Sequence, residues 1–470
     1  MPEISVVTFK RVEKEFRFDA EYYRPTFIEV EGLISNVPTT PLGRLLIDIK
    51  TSAFYGSISF YYKKEGGIPF IRVSDIEEPF LNLYDVVYLP MNIVEKEKGL
   101  SVVTNEYLLI SKGGTTGNIC FIPQDIKKTC ISRDVIGIKI NEEEINKLYL
   151  LIFLISRYGK VQLLRGISRQ TLPHLTLEIV KNVLIPILSK DFQLHIEQLV
   201  KQAYEKRKLA EQKYQQAEEL LYALLGINKQ EIKRLEAEKA YETNFKEVKH
   251  AFRFDAEYYH PKYYLPDKIF KQIPCVRLGD KEYFELKKGV EVGSEAYCDE
   301  NRGILFLRVS NLSKDGLKLN PSDKYIFRGI YEKLKSKYEP KEGEILFSKD
   351  GTIGTAMVVD LHFPPSVISG GIVRIRIKKG FDPYYLAFIL NSIVVELQVM
   401  KEKTGTVIEH LRFSKLKETK VPKLPQSQQQ EISNLIKEYF KLRKEARQLV
   451  QKAIRKVEEA IENASRISGE

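Results

Sequence analysis

The sequence predicts a tandem α+β protein: two similar globular units, each followed by a long helix, with the helices paired antiparallel as a coiled coil. Three observations predict it. Framework segments recur at an almost constant offset of 236 positions, close to half of the 470 residues. Each copy ends in a stretch whose apolar residues follow an unbroken three-four alternation, the seam of a heptad helix. Within each copy, short apolar runs bounded by Gly suit strands, and longer runs at three- and four-residue spacing suit helices.

The repeat comes first. FRFDAEYYRP at 16–25 returns as FRFDAEYYHP at 252–261, and GIPFIRVSDI at 67–76 as GILFLRVSNL at 303–312. KGGTTGNI at 112–119 answers KDGTIGTA at 349–356, and SRDVIGIKI at 132–140 answers SGGIVRIRI at 369–377. A period near half the chain describes a pseudo-two-fold pair of units rather than a solenoid. Ile68–Val73, Ile304–Val309, Val135–Ile140 and Ile372–Ile377 read as strands, and Leu148–Leu164 and Tyr384–Met400 as helices.

Each copy then leads through IP at 185–186 or VP at 421–422 into its long helix. In the central helix, 192–225, the seam is Val200, Ala203, Arg207, Ala210, Tyr214, Ala217, Leu221 and Leu224. In the C-terminal helix it is Ile436, Tyr439, Arg443, Ala446, Val450, Ala453, Val457 and Ala460, in the same register. Gly226 reads as a C-terminal cap. The charged stretch 228–249 reads as a helical or partly extended connector. The expected domains are 1–190, the central helix 191–227, the connector and second unit 228–426, and the C-terminal helix 427–470. Because the second unit starts where the first helix ends, the second helix has to run back along the first to bury its seam. The paired helices then act as a ruler between the units.

Composition narrows the function. The chain is 43% hydrophobic and 29% charged, hence globular, and its net charge is +11. Residues 192–225 balance five Lys/Arg against five Glu, and 427–462 carry eight against six. Most of the excess therefore lies outside the helices, which suggests a polyanion partner, most commonly nucleic acid. The apolar run Leu148–Ile155 is far short of the roughly 20 residues of a membrane span. MPEISVVTFKRVEKEF has no apolar signal core. Cys120, Cys130, Cys275 and Cys298 are scattered and read as reduced core residues. A cytoplasmic protein away from membranes is expected.

The catalytic motifs are missing. GGTTGN lacks the Lys and Ser of a phosphate-binding loop. Asp382-Pro383-Tyr384-Tyr385 lacks the second Pro of the amino-methyltransferase loop and reads as a capped helix start. Six His fall at no metal spacing. No catalytic residue, metal or cofactor is expected.

The remaining candidates are loops able to approach a nucleic acid. In Lys112-Gly113-Gly114-Thr115-Thr116-Gly117-Asn118 the glycines allow close backbone approach, while Lys112, Thr115, Thr116 and Asn118 can donate to phosphates. Lys349, Thr352 and Thr355 repeat the set; an ordinary tight hairpin explains the same glycines equally well. Arg165, Ser168, Arg169 and Gln170 gather groups that reach phosphates and base edges. Their counterpart, Lys403, Thr404, Thr406 and His410, differs in composition. Tyr62, Lys63 and Lys64 combine aromatic and basic groups, and Arg133 and Arg302 complete the set. Framework segments match between the copies, whereas these loops diverge.

Together the duplicated RFDAEYY start, the GIPFIR and GILFLR segments, the glycine loops and the IP/VP entry into a Gln-containing helix resemble the specificity subunit of Type I restriction–modification systems. The resemblance covers the whole chain. It implies two target recognition domains, each reading one half of a bipartite double-stranded DNA sequence, and no catalytic site. It also implies long helices that space the domains and bind the methyltransferase (modification) subunits, expected in two copies, with restriction/translocase subunits joining through the complex. Asp350 in place of Gly113 departs from a phosphate-binding loop. Two alternatives stay open: the recognition subunit of another multisubunit restriction enzyme, and a stand-alone pseudo-dimeric repressor.

Overall fold

Two four-stranded sheets per unit follow directly from the repeated strand segments. The computed structural model describes residues 4–469 apart from 55–56, 85, 168–173, 321 and 405–408. Contacts divide the chain into one unit of Met1–Lys208 with Arg443–Glu470 and a second of Leu209–Leu442. Each long helix, Lys190–Leu225 and Gln426–Gly469, therefore contributes to both.

In the first unit an antiparallel sheet runs in the order Leu46–Thr51, Val135–Ile140, Tyr107–Ser111, Ile119–Phe121. The second unit repeats that order with Phe284–Lys288, Ile372–Ile377, Ile345–Ser348 and Ala356–Val358. A smaller sheet is built around a parallel pair, Ile68–Ile71 with Thr129–Ile131 in one unit and Gly303–Leu307 with Ser366–Ile368 in the other. The Gly that opens GIPF is required. Gly67 sits at φ +111°, and a Cβ there would lie 2.2 Å from the Leu89 carbonyl oxygen.

An apolar helical hairpin packs on the larger sheet. The expected single helix over 148–164 is two, Lys147–Ile155 and Arg157–Arg165, and the counterpart is Pro383–Leu390 with Ile393–Glu402. The break falls at Ser156, and a Cβ on Gly159 would lie 2.4 Å from the Phe153 carbonyl oxygen, so the turn folds back tightly on itself. The periodicity runs through the break because apolar residues continue on both sides of it: Leu148–Leu154 are buried all round, and Tyr158, Gly159 and Leu163 are buried beyond the turn. Asp382 caps its helix as expected, accepting from the Tyr384 and Tyr385 amides. Among the described residues no single helix is long and apolar enough to cross a membrane.

Three polar clamps tie each hairpin to the entry of its long helix, at the same offset in both units. The Gln162 side chain bonds both backbone groups of Leu184, and Gln398 does the same to Lys420. The Tyr149 hydroxyl donates to the Pro186 carbonyl at 2.7 Å, and Tyr385 to Pro422 at 2.9 Å. Buried Gln193 and Gln429 accept from the amides of Asn146 and Asp382 and donate to Leu188 and Leu424. Every buried polar group at this junction has a partner, which fixes one geometry for it.

In the first unit Lys206 pairs with Glu445 at 2.5 Å, and in the second Lys213 pairs with Glu438 at 2.8 Å. Seven steps forward on one helix match seven back on the other, the antiparallel register. Val200, Ala203, Ala210, Ala217 and Leu221 are buried, as are Ala446, Val450, Ala453 and Val457. At the far ends the seam shifts by one: Leu225 and Ile461 are buried where Leu224 and Ala460 were expected. A helix of 3.6 residues per turn drifts away from a strict heptad, and the last turns follow the helix. The shared seam arginines are both used in the first unit, where Arg207 and Arg443 reach one carboxylate, Glu77, at 2.7 and 3.4 Å. Ser313 stands at the equivalent position in the second repeat and carries no charge.

Candidate nucleic-acid interface

The two glycine loops join the middle strand of each larger sheet to its edge strand, and one serine organises each. In the first unit the Ser111 hydroxyl donates to the Thr115 carbonyl at 2.5 Å and accepts from the Asn118 amide at 2.8 Å. In the second the Ser348 hydroxyl donates to Thr352 and accepts from Thr355 at 2.5 and 2.9 Å. Gly114 and Gly117, and Gly351 and Gly354, hold the positive φ the turn needs. Neither serine stood out in the sequence, although each immediately precedes the motif.

A second segment buttresses each loop. The Leu175 amide donates to the Lys112 carbonyl at 2.9 Å, and that of Leu411 to Lys349 at 2.8 Å. Both leucines are buried, and each follows a histidine, His174 or His410, at the repeat offset. The carboxylate facing that histidine arrives from different places. His410 Nδ1 lies 2.8 Å from Asp350 within the glycine loop. In the first unit a Cβ on Gly113 would meet Asp134 Oδ1 at 3.0 Å and His174 Cε1 at 3.1 Å. Asp134 answers Gly371 by offset, and a Cβ on Gly371 would lie 3.5 Å from Asp350 Cβ. The pair Gly113 and Asp134 is thus exchanged for Asp350 and Gly371, keeping one carboxylate in the same small space.

The exchange changes what the loop offers. Lys349 is buried and pairs with Asp350 at 2.5 Å, whereas Lys112 is half-buried. Burial acts to raise the Asp350 carboxyl, but hydrogen bonds from Lys349 and His410 hold it below its usual value. Thr115 and Thr352 are exposed at the loop tips, with Thr116, Asn118 and Thr355 half-buried beside them.

The other candidates divide. Lys63, Lys64, Arg133 and Arg302 are exposed; Arg133 lies over Phe54 and Arg302 over Phe327. The Tyr62 ring packs on Phe70 with its centroid 5.6 Å away, and burial raises its phenol. Lys403 pairs with Glu409 at 2.6 Å, and Thr404 bridges to His410 through the backbone. The Arg165 guanidinium stacks on Tyr22 at 4.2 Å and bonds Glu31 at 2.6 Å, so its charge is satisfied inside the unit rather than presented at a surface. Ser168, Arg169, Gln170 and Thr406 lie outside the described residues. Among the described residues no group of three or more His, Cys, Asp or Glu is placed to hold a metal ion.

Two further arginines precede the turn after the small-sheet strand. Arg72 forms a two-point pair with buried Asp75 at 3.0 Å on each contact. In the second unit Asn311 replaces that aspartate, and Arg308 donates to the Ser322 carbonyl instead. The RVSD and RVSN segments carry this difference in plain sight.

The model of the family described as "Type I restriction modification DNA specificity domain" matches residues 50–219 and again 283–452, most of the chain. The type I restriction enzyme MjaX specificity subunit of Methanocaldococcus jannaschii is 32% identical over 106 residues. That stretch spans 22% of this chain and 22% of the relative. The solved S subunit of a Type-I restriction-modification system from M. genitalium aligns over 92% of this chain and 96% of its own, with 12% identity and a TM-score of 0.40. The HsdS subunit from Thermoanaerobacter tengcongensis aligns over the same shares, with 14% identity and a TM-score of 0.27.

Proposed function

The chain belongs to the family of Type I restriction modification DNA specificity domains, and on that premise we propose that it reads a bipartite, asymmetric double-stranded DNA target, one unit per half-site. Residues 1–190 and 228–426 are the target recognition domains in this reading, and 191–227 and 427–470 the helical ruler. One observation carries it: a single loop architecture, built on Ser111 or Ser348, presents different charge in each unit. Equal scaffolds with unequal surfaces suit two unlike half-sites; a palindrome would need matched surfaces.

Lys112, Thr115, Thr116, Asn118, Lys63, Lys64 and Arg133 serve the first half-site in this reading, and the sequence assigns Ser168, Arg169 and Gln170 to it as well. Arg302, Thr352, Thr355, Thr404 and Thr406 serve the second. The chain does no chemistry itself; methyl transfer and cleavage belong to modification and restriction subunits, the former docking along the paired helices. Selection from a randomised duplex pool, using the chain with its modification subunit, tests the reading. It should recover two unlike half-sites. Arg169→Ala should then lose about 1–3 kcal/mol of base discrimination at one half only. Matched half-sites, or equal loss at both, would overturn it. Seven residues inserted into each long helix add about 10 Å, so the unread spacer should lengthen by about three base pairs.

A further inference from the structure

The first and second units share an exposed surface that neither the fold nor DNA reading explains. Residues 9–23 and 245–259 agree at eleven of fifteen positions, including FRFDAEYY throughout. Part of that agreement is structural. Arg17 is clamped to Asp19 by two bonds of 2.8 Å, and Arg253 to Asp255 by two of 2.6 Å. The Tyr23 hydroxyl donates to the Arg17 carbonyl, and that of Tyr259 to Arg253. The phenylalanines at these clamps face water. Phe16 and Phe18 are 82% and 69% exposed, and Phe252 and Phe254 are 82% and 77% exposed.

Each pair stacks edge to face, with centroids 6.0 and 6.1 Å apart. Phe16 and Phe252 stand at φ 53° and 52°, a left-handed conformation that bulky residues avoid. Two strained, water-facing phenyl pairs are therefore held alike in both units, while the nucleic-acid loops diverge. Large exposed aromatics on a preorganised support are the anchors of protein interfaces. Sameness in both units fits an occupant that is itself the same at both.

We propose that Phe16–Phe18 and Phe252–Phe254 are two copies of one docking knob, each entering an apolar pocket on a separate folded protein, so that the chain captures two identical subunits. The flanking helices Phe9–Glu15 and Phe245–Ala251 carry more Lys and Arg than Glu, which asks for an acidic pocket rim. Resting on the reading above, the occupant is the modification subunit, held at the knob in addition to its contacts along the paired helices.

The test is the mass of the complex between the full chain and its modification subunit, measured by light scattering. The parent chain should bind two copies. Phe16→Ser with Phe18→Ser should bind one at full affinity and the other at least about ten-fold more weakly, and Phe252→Ser with Phe254→Ser likewise. All four changes together should weaken both, with the melting temperature unchanged. Unaltered binding of two copies by the four-fold variant would overturn the proposal alone. A parent chain that binds none would overturn the partner reading and the proposal together. Variants that lose DNA, or a self-associated form, while keeping both subunits would assign the knobs to nucleic acid or to a second copy of the chain, and would overturn the proposal.

Discussion

At the glycine loops, the two units solve one packing problem in opposite ways. The first leaves the loop position empty at Gly113 and brings its carboxylate from Asp134, twenty-one residues onward. The second places Asp350 in the loop and empties the distant position with Gly371. The backbone is the same, and a histidine stands beside the carboxylate in both. What differs is the lysine: Lys349 is neutralised by its neighbour, while Lys112 has no carboxylate next to it in sequence. One scaffold can therefore carry two charge patterns without a change of fold, because the carboxylate and the space it needs move as a pair.

The largest effect should come from the seam. Glu77→Ala leaves the Arg207 and Arg443 guanidiniums, both largely buried, without their shared carboxylate. The cost should be about 2–3 kcal/mol, seen by calorimetry as earlier melting of the first unit. Ser313→Ala should move the second unit by less than about 0.5 kcal/mol; equal losses would dissolve the distinction between the units. Next, Gly113→Asp crowds Asp134 and His174 and sets two carboxylates together, which should cost about 1–3 kcal/mol. Adding Asp134→Gly should recover most of it, making the first unit resemble the second. Failure of the second change to rescue the first would break the exchange argument.

The smallest effect is on pH. The folded Asp350 carboxyl lies below its unfolded value, so its ion pairs stabilise the second unit above a pH of about 4 and are lost as pH falls through the folded value. His410→Ala should shrink that acid-side loss in thermal melts, by less than about 1 kcal/mol because the histidine is exposed. The first unit, scored by the same melts, should not respond.

Much of this was legible in the sequence. Strands Val135–Ile140 and Ile372–Ile377 fall where alternation put them, and Asp382 caps as its composition implies. The repeat alone made a tandem α+β fold readable, since each framework segment could be checked against its copy. The hairpin break at Ser156 was hidden because apolar residues continue on both sides of it. Arg165 looked like a surface cation because Glu31 and Tyr22, which hold it, are more than a hundred positions away. The Asp134 and Asp350 exchange was hidden for the same reason: its two halves meet only when the strand after Asp134, Val135–Ile140, pairs with the strand that enters the loop, Tyr107–Ser111.

The clamps of Gln162, Tyr149 and Gln193, and of Gln398, Tyr385 and Gln429, bond mainly to backbone groups. A joint that grips main chain is blind to the side chains of whatever lies between its jaws. Each unit is in that sense a cassette: side chains presented by its loops can change while the main-chain grip on the long helix stays the same. New sequence can be installed at one seat without renegotiating the other, so the two surfaces are free to change independently.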